Sequence, residues 1–149
     1  MSAIKNIFKR RSGKDNSLIE SLKKITKFKP TKHLYYEKAF THRSTNRKDE
    51  LGNPISYERL EFLGDAILSS VVAHYLFDKA PSGDEGYLTK MRSKVVSRDH
   101  LNEIGKELEL SNLMHSKIPI SQFGENIHGN LFEALIGAVF LDKGYIVCE

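Results

Sequence analysis

Tyr57-Glu58-Arg59-Leu60-Glu61-Phe62-Leu63-Gly64-Asp65-Ala66-Ile67-Leu68 sets three carboxylates into a run that is otherwise mostly apolar. A helix that buries unpaired negative charge is destabilised, so Glu58, Glu61 and Asp65 must either face water or be held together by a cation. At about 100° per residue the three fall within a sector of roughly 60°, while Leu60, Leu63, Ile67 and Val71 point to another side. The run reads as a helix with one acidic stripe and one apolar face.

Outward from this segment the pattern stays helical, with no sustained polar–apolar alternation that would demand a sheet, and the expected fold is all-α. A first helix is expected from Ser17, as N-cap, through Leu18, Ile19, Leu22 and Ile25 until Pro30 stops it. A second covers roughly residues 31–41. Residues 46–54 read as an exposed loop, after which Asn53-Pro54 forms the cap and first turn of the long helix running to about Lys79. Asp84 should cap a helix from Glu85 to about Val96, and Ser97 another through Leu108. Pro119 and Gly124 leave residues 109–124 as a loop. A final helix runs from about Glu125 to Lys143 and closes at Gly144. Its Gly129, Ala134, Gly137 and Ala138 would let another helix approach closely.

With 149 residues and 40% hydrophobic content the chain can bury a core of its own, as one domain over residues 17–149. The single Cys148 excludes an internal disulfide and a thiolate zinc site, which fits a reducing, cytoplasmic compartment. The longest membrane candidate, Ala66 to Phe77, is too short to span a bilayer, so no membrane partner is expected. Residues 1–32 hold ten Lys or Arg against two acids, a charge of +8, which leaves −4 for the remainder. Residues 1–16 therefore read as a basic, flexible arm: either a solvated tail or a source of salt-dependent attraction to phosphates.

Glu133 stands among Leu131, Phe132, Ala134, Leu135 and Ile136, where a carboxylate needs compensation. A structural salt bridge is one explanation. Beside Glu61 and Asp65, with few buried cations to match them, a shared divalent ion is the simpler one, and oxygen ligands favour Mg²⁺ or Mn²⁺ over zinc. Such a site suits phosphodiester hydrolysis, where held metal ions lower the pKa of a bound water and neutralise charge on the attacking and leaving oxygens. No Gly-rich phosphate cradle, paired-His zinc helix or elbow serine competes with it, and no small-molecule cofactor is indicated. Lys90, Arg92, Lys94 and Arg98 form a basic cluster, read either as a solvated face or as a phosphate-tracking surface.

The run Glu58-Arg59-Leu60-Glu61-Phe62-Leu63-Gly64-Asp65 resembles the signature of the ribonuclease III family of double-stranded-RNA endonucleases. Thr41-His42-Arg43-Ser44, Asp84-Glu85-Gly86 with Met91-Arg92, and Phe132-Glu133-Ala134-Leu135-Ile136-Gly137-Ala138 follow in the family's order. The resemblance covers about Leu18 to Tyr145. It implies a helical endonuclease domain of the bacterial type, its long signature helix packed against a C-terminal helix, with Asp65 and Glu133 catalytic. It also implies metal ligation by Glu61, Asp65, Glu133 and the residue at 130, with Glu58 and Glu85 as auxiliary acids.

At Asn130 the chain departs from the family, which usually places Asp there; the amide oxygen can coordinate, with one formal charge fewer. A working variant with weaker metal binding is the favoured explanation, ahead of a silenced enzyme or an engineered substitution, because the other acidic positions are intact. Phe62 has two readings, a core residue by periodicity and, by resemblance, a contact entering a socket on a second subunit of a homodimer. Arg43 is read equally as an ion-pair or capping residue and as an RNA contact, with Lys90, Arg92 and Lys94 as further RNA-binding candidates. Bacterial members commonly continue into a double-stranded-RNA-binding domain, and none is expected in this chain. The implied activity is cleavage of duplex RNA to 5′-phosphate and 3′-hydroxyl ends, as in ribosomal RNA processing. The alternatives are a catalytically weak or silent duplex-RNA-binding domain and a purely structural dimerisation module.

Overall fold

The computed structural model describes the backbone of residues 14–149 and the side chains from Ser17 onward. Among these residues the chain forms seven helices: α1 (Lys14–Thr26), α2 (His33–Ala39), α3 (Glu58–Lys79), α4 (Glu85–Val95), α5 (Arg98–Glu107), α6 (Ile127–Lys143) and α7 (Tyr145–Cys148). Short 3-10 turns occupy Arg43–Thr45, Leu110–Leu113 and Ile120–Gln122. No strand is present among the described residues, only two isolated bridges, Thr41 with His115 and Lys48 with Pro54. The fold is all-α, as the periodicity implied.

Helix α6 is the centre of the domain because its apolar residues are not confined to one face. Leu131, Ala134, Leu135, Ala138 and Val139 are all buried, as expected when neighbours surround a helix. Those neighbours are α3, α5 and α2. The small residues allow backbones to touch: a Cβ added at Gly64 would lie 1.7 Å from the Glu133 carbonyl oxygen, and one added at Gly137 would lie 2.4 Å from that of Leu60. Helices α3 and α6 therefore cross at Gly64 and Gly137. A second close crossing sets Gly105 of α5 against the His128 carbonyl, where a Cβ would come within 2.2 Å.

At the other end of the core, Leu18, Ile19 and Leu22 of α1 join Tyr36, Phe40 and Leu110 against Leu131 and Leu135. The buried carboxylate of Asp142 locks this region. It accepts hydrogen bonds from the Thr31 and Lys32 amides, each at 2.9 Å, and from the Tyr36 hydroxyl at 2.9 Å. Asp142 thus supplies, from 110 residues away, donor satisfaction at the start of α2, whose N-cap Lys32 has no side-chain cap. Burial opposes its charge, but the Thr31, Tyr36 and Lys32 donors outweigh that and hold its pKa well below the usual carboxylate range. Asp142→Ala should cost about 3 kcal/mol, since charge-assisted bonds are lost and the buried Tyr36 hydroxyl is left without its partner. Chemical denaturation checks this, and the cost should shrink as pH falls below the ordinary carboxylate pKa.

Several expected boundaries move. Residues 1–13 of the basic arm lie outside the described residues, and α1 already begins at Lys14, so Ser17 is inside the helix rather than its cap. The second helix is shorter than residues 31–41, at His33–Ala39. Asn53-Pro54 does not start α3, which begins at Glu58, because the intervening backbone is spent on tertiary bonds: Ile55 N–H to Arg47 O and Tyr57 N–H to Thr41 O, both 2.9 Å. Asp84 and Ser97 cap α4 and α5 as expected, each accepting from the amide three residues on. The presumed loop 109–124 contains two 3-10 turns. By length and hydropathy alone, the 22-residue α3 could cross a bilayer, contrary to the reading of residues 66–77.

Candidate functional site

The α3–α6 crossing also places the acids. Glu61 lies one turn before Gly64 on α3 and Asp65 directly after it, while Glu133 lies one turn before Gly137 on α6. All three line a single open cleft of about 640 Å³, together with Glu58, Asn130, Arg43, Tyr57, Phe62, Arg98, Asn102 and Asn126. Asn130 and Glu133 share a face of α6, three residues apart. The acids of two distant segments and Asn130 therefore line one depression.

Electrostatically the cleft is under-compensated. Burial pushes the Glu133 carboxyl up to about 7, helped by Asp65 and Glu61 and opposed by Arg98. Glu61 is raised too, first by burial and then by Glu58 and Asp65, again with Arg98 opposing. Glu58 has Arg43 Nε 2.8 Å from one oxygen, but the approach is out of line for a hydrogen bond, and both Glu58 oxygens are buried without a donor. Glu61, Asp65 and Glu133 have no ion-pair partner among the described residues. A set of hard oxygen donors with surplus negative charge and orphaned oxygens fits a hard divalent cation. Among the described residues, no three carboxylate or imidazole groups lie close enough to chelate one ion as they stand. Mutual repulsion of like charges favours such spacing.

The other predicted residues divide. Phe62 is 81% exposed at the rim of the cleft, which overturns its reading as a core residue. Arg43 is a cleft-side residue whose side chain is largely exposed and which pairs with Glu58. Glu85 does not line the cleft: it lies exposed in the first turn of α4, accepting from the Thr89 hydroxyl at 2.9 Å. Lys90, Arg92 and Lys94 follow it on α4, also outside the cleft lining.

Sequence reasoning missed Asn102 and Tyr57 and placed Arg98 only in a general basic cluster. Asn102 is buried, and its side-chain oxygen accepts the Gly129 amide at 2.8 Å, capping the start of α6 from α5. The missing Cβ of Gly129 leaves room for it. Leu101, Asn102 and Gly105 are the buried face of α5, and Arg98 continues that face one turn earlier. The i, i+3, i+4, i+7 spacing was a readable signal.

Known proteins resemble this chain in sequence and in fold. The family model described as Ribonuclease-III-like matches residues 32–149. Ribonuclease 3 of Flavobacterium psychrophilum is 58% identical over 150 residues, and that of Zunongwangia profunda 60% identical over 149; each match covers 100% of this chain and 61% of the relative. The chain thus spans about three-fifths of the length of these relatives. A solved nuclease domain of ribonuclease III from Campylobacter jejuni, described for structural flexibility in a region involved in dimer formation, superposes with a TM-score of 0.72 at 30% identity. That match covers 87% of this chain and 90% of the other. A shared helical architecture, a family match across most of the sequence and an acid-lined crossing of α3 and α6 together place this chain in the ribonuclease III family.

Proposed function

We propose that this chain is the nuclease domain of a metal-dependent endoribonuclease that hydrolyses double-stranded RNA to 5′-phosphate and 3′-hydroxyl ends. The observation that carries the reading is that Glu61, Asp65 and Glu133, from two helices, line one cleft and that none of them is in an ion pair among the described residues. Glu61, Asp65, Asn130 and Glu133 are the residues that would hold Mg²⁺, or Mn²⁺ in its place. Bound there, such an ion would lower the pKa of an attacking water and neutralise charge on the phosphate. Asp65 and Glu133 are the acids on which catalysis depends most. Glu58 holds Arg43 at the cleft edge, and Glu85 and the α4 cations Lys90, Arg92 and Lys94 are assigned to the approach of the RNA. Ribosomal RNA processing in the cytoplasm is the cellular setting. Incubating the chain with a labelled duplex, with Mg²⁺ and with EDTA, tests the reading: cutting should require the metal, and no cutting under any divalent ion would refute it.

Asn130 favours a second reading, a silent duplex-binding domain, because it removes a formal charge from the ligand set. The two differ in the behaviour of Asn130→Asp. For a working enzyme, the substitution should lower the Mg²⁺ concentration giving half-maximal cleavage by about tenfold. Unchanged metal dependence would remove Asn130 from the ligand set, and binding without cutting by the parent chain would support the silent domain.

The function is proposed to require a homodimer, with Phe62 at its contact. A large aromatic 81% exposed beside a charged cleft is poorly placed for a free surface and well placed to enter a pocket on a second copy. Phe62→Ala should weaken self-association by at least about tenfold, the usual effect of truncating a buried aromatic anchor. Sedimentation equilibrium checks it, and an unchanged dimer constant would release Phe62 from this role.

A further inference from the structure

The cleft offers two guanidinium groups to a ligand, and only one is engaged. Arg43 lies against Glu58, whereas Arg98 forms no ion pair or hydrogen bond among the described residues. Arg98 is exposed and is the first residue of α5, after the N-cap Ser97. A cation in the first turn opposes the helix dipole by about 0.3–1 kcal/mol, so helix chemistry does not favour arginine there.

The facing of its helix is set by tertiary structure. Asn102, one turn later on the same face, is pinned to the Gly129 amide, and Gly105 abuts the His128 backbone. That docking turns the Arg98 face toward Asn130 and Glu133. The cleft lining holds four carboxylates against two guanidiniums, a net charge of −2 that repels a phosphodiester. Arg98 is the cation of this lining that is in no ion pair among the described residues, and a guanidinium suits two phosphate oxygens at once.

We propose that Arg98 is a substrate-contacting residue of this cleft, binding the non-bridging oxygens of the RNA phosphate presented to the acids. The proposal rests on the endonuclease reading. It adds a protein cation on the phosphate where Asn130 reduces the charge available to hold metal.

The test measures binding of a fluorescent duplex RNA by anisotropy and its cleavage at saturating RNA in single-turnover reactions, for the parent chain, Arg98→Ala and Arg98→Lys. Melting curves verify folding, which the exposed position should leave intact. Arg98→Ala should cut about a hundredfold more slowly, the scale of losing one charge-stabilising donor, with Arg98→Lys recovering part of the rate. Cutting at the parental rate overturns the proposal. So does full recovery of Arg98→Ala in higher Mg²⁺, because Arg98 would then act only on the acids. If the parent binds but never cuts, the endonuclease reading fails separately and the binding data decide: a phosphate contact should lower the salt slope by about one in Arg98→Ala. Equal affinity and slope would overturn it.

Discussion

Gly64→Ala is expected to lower the melting temperature by about 10–15 °C, a loss of at least about 4 kcal/mol for a domain of this size. The added methyl group would lie 1.7 Å from the Glu133 carbonyl oxygen and 2.6 Å from its carbon. Neither is a side-chain tip that can swing aside, so the helices must separate. Separation breaks the packing of Leu60 against α6 and moves Glu61 and Asp65 away from Glu133, so any surviving folded protein should be inactive. Gly86→Ala is the contrast: the nearest atom to its added Cβ is 3.5 Å away, and the exposed helical site should gain about 0.5–1 kcal/mol. Circular dichroism melts of the two variants settle the matter. If Gly64→Ala melts within a degree or two of the parent, the backbones do not meet as described.

The second large effect is on activity. Glu133→Gln should reduce duplex cleavage at least about a hundredfold while leaving duplex affinity nearly unchanged, because a neutral amide has the same shape but not the charge. The same substitution should stabilise the protein in EDTA at neutral pH. Burial and the Asp65 and Glu61 charges push Glu133 up to about 7 from its ordinary 4.5. With the folded pKa raised, the stability contributed by the protonated acid is complete below about pH 4.5 and lost as pH rises through about 7. The parent should therefore lose stability across that window relative to Glu133→Gln, with the two converging at low pH. Mg²⁺ should release a proton on binding below pH 7 and restore part of the loss. Parallel melting curves for the two proteins across this range would show that Glu133 is not held in the strained state described.

The legible features were those encoded within one helix. Glu58, Glu61 and Asp65 announce their stripe by spacing alone, and Asp84 and Ser97 announce their caps. Gly129 and Gly137 announced close packing, though not the partner. What escaped was fixed by contacts between segments remote in sequence. Pro54 looks like a helix start, but Ile55 and Tyr57 are held by Arg47 and Thr41, which keeps the backbone extended until Glu58. Phe62 looked like core because it is a large aromatic in a mostly apolar helix, yet it falls on the side of α3 away from Leu60, Gly64 and Val71. Arg98 looked like one lysine-and-arginine surface position among several until Asn102 fixed the facing of its helix. Asp142, an ordinary acid near a helix end in sequence, latches Thr31, Lys32 and Tyr36 only after folding.

The position of the Gly64–Gly137 crossing gives the acids a mechanical advantage. Gly64 is the seventh of 22 residues in α3, so the far end of that helix lies about 22 Å beyond the crossing at 1.5 Å per residue. If α3 rocks on this fulcrum by about 5°, its Lys79 end sweeps about 2 Å, but Glu61 and Asp65, within a turn of the pivot, shift by only about 0.4 Å. Any such tilting would therefore fall on the far end of the helix, where α4 and α7 pack, and would leave the carboxylate spacing nearly still.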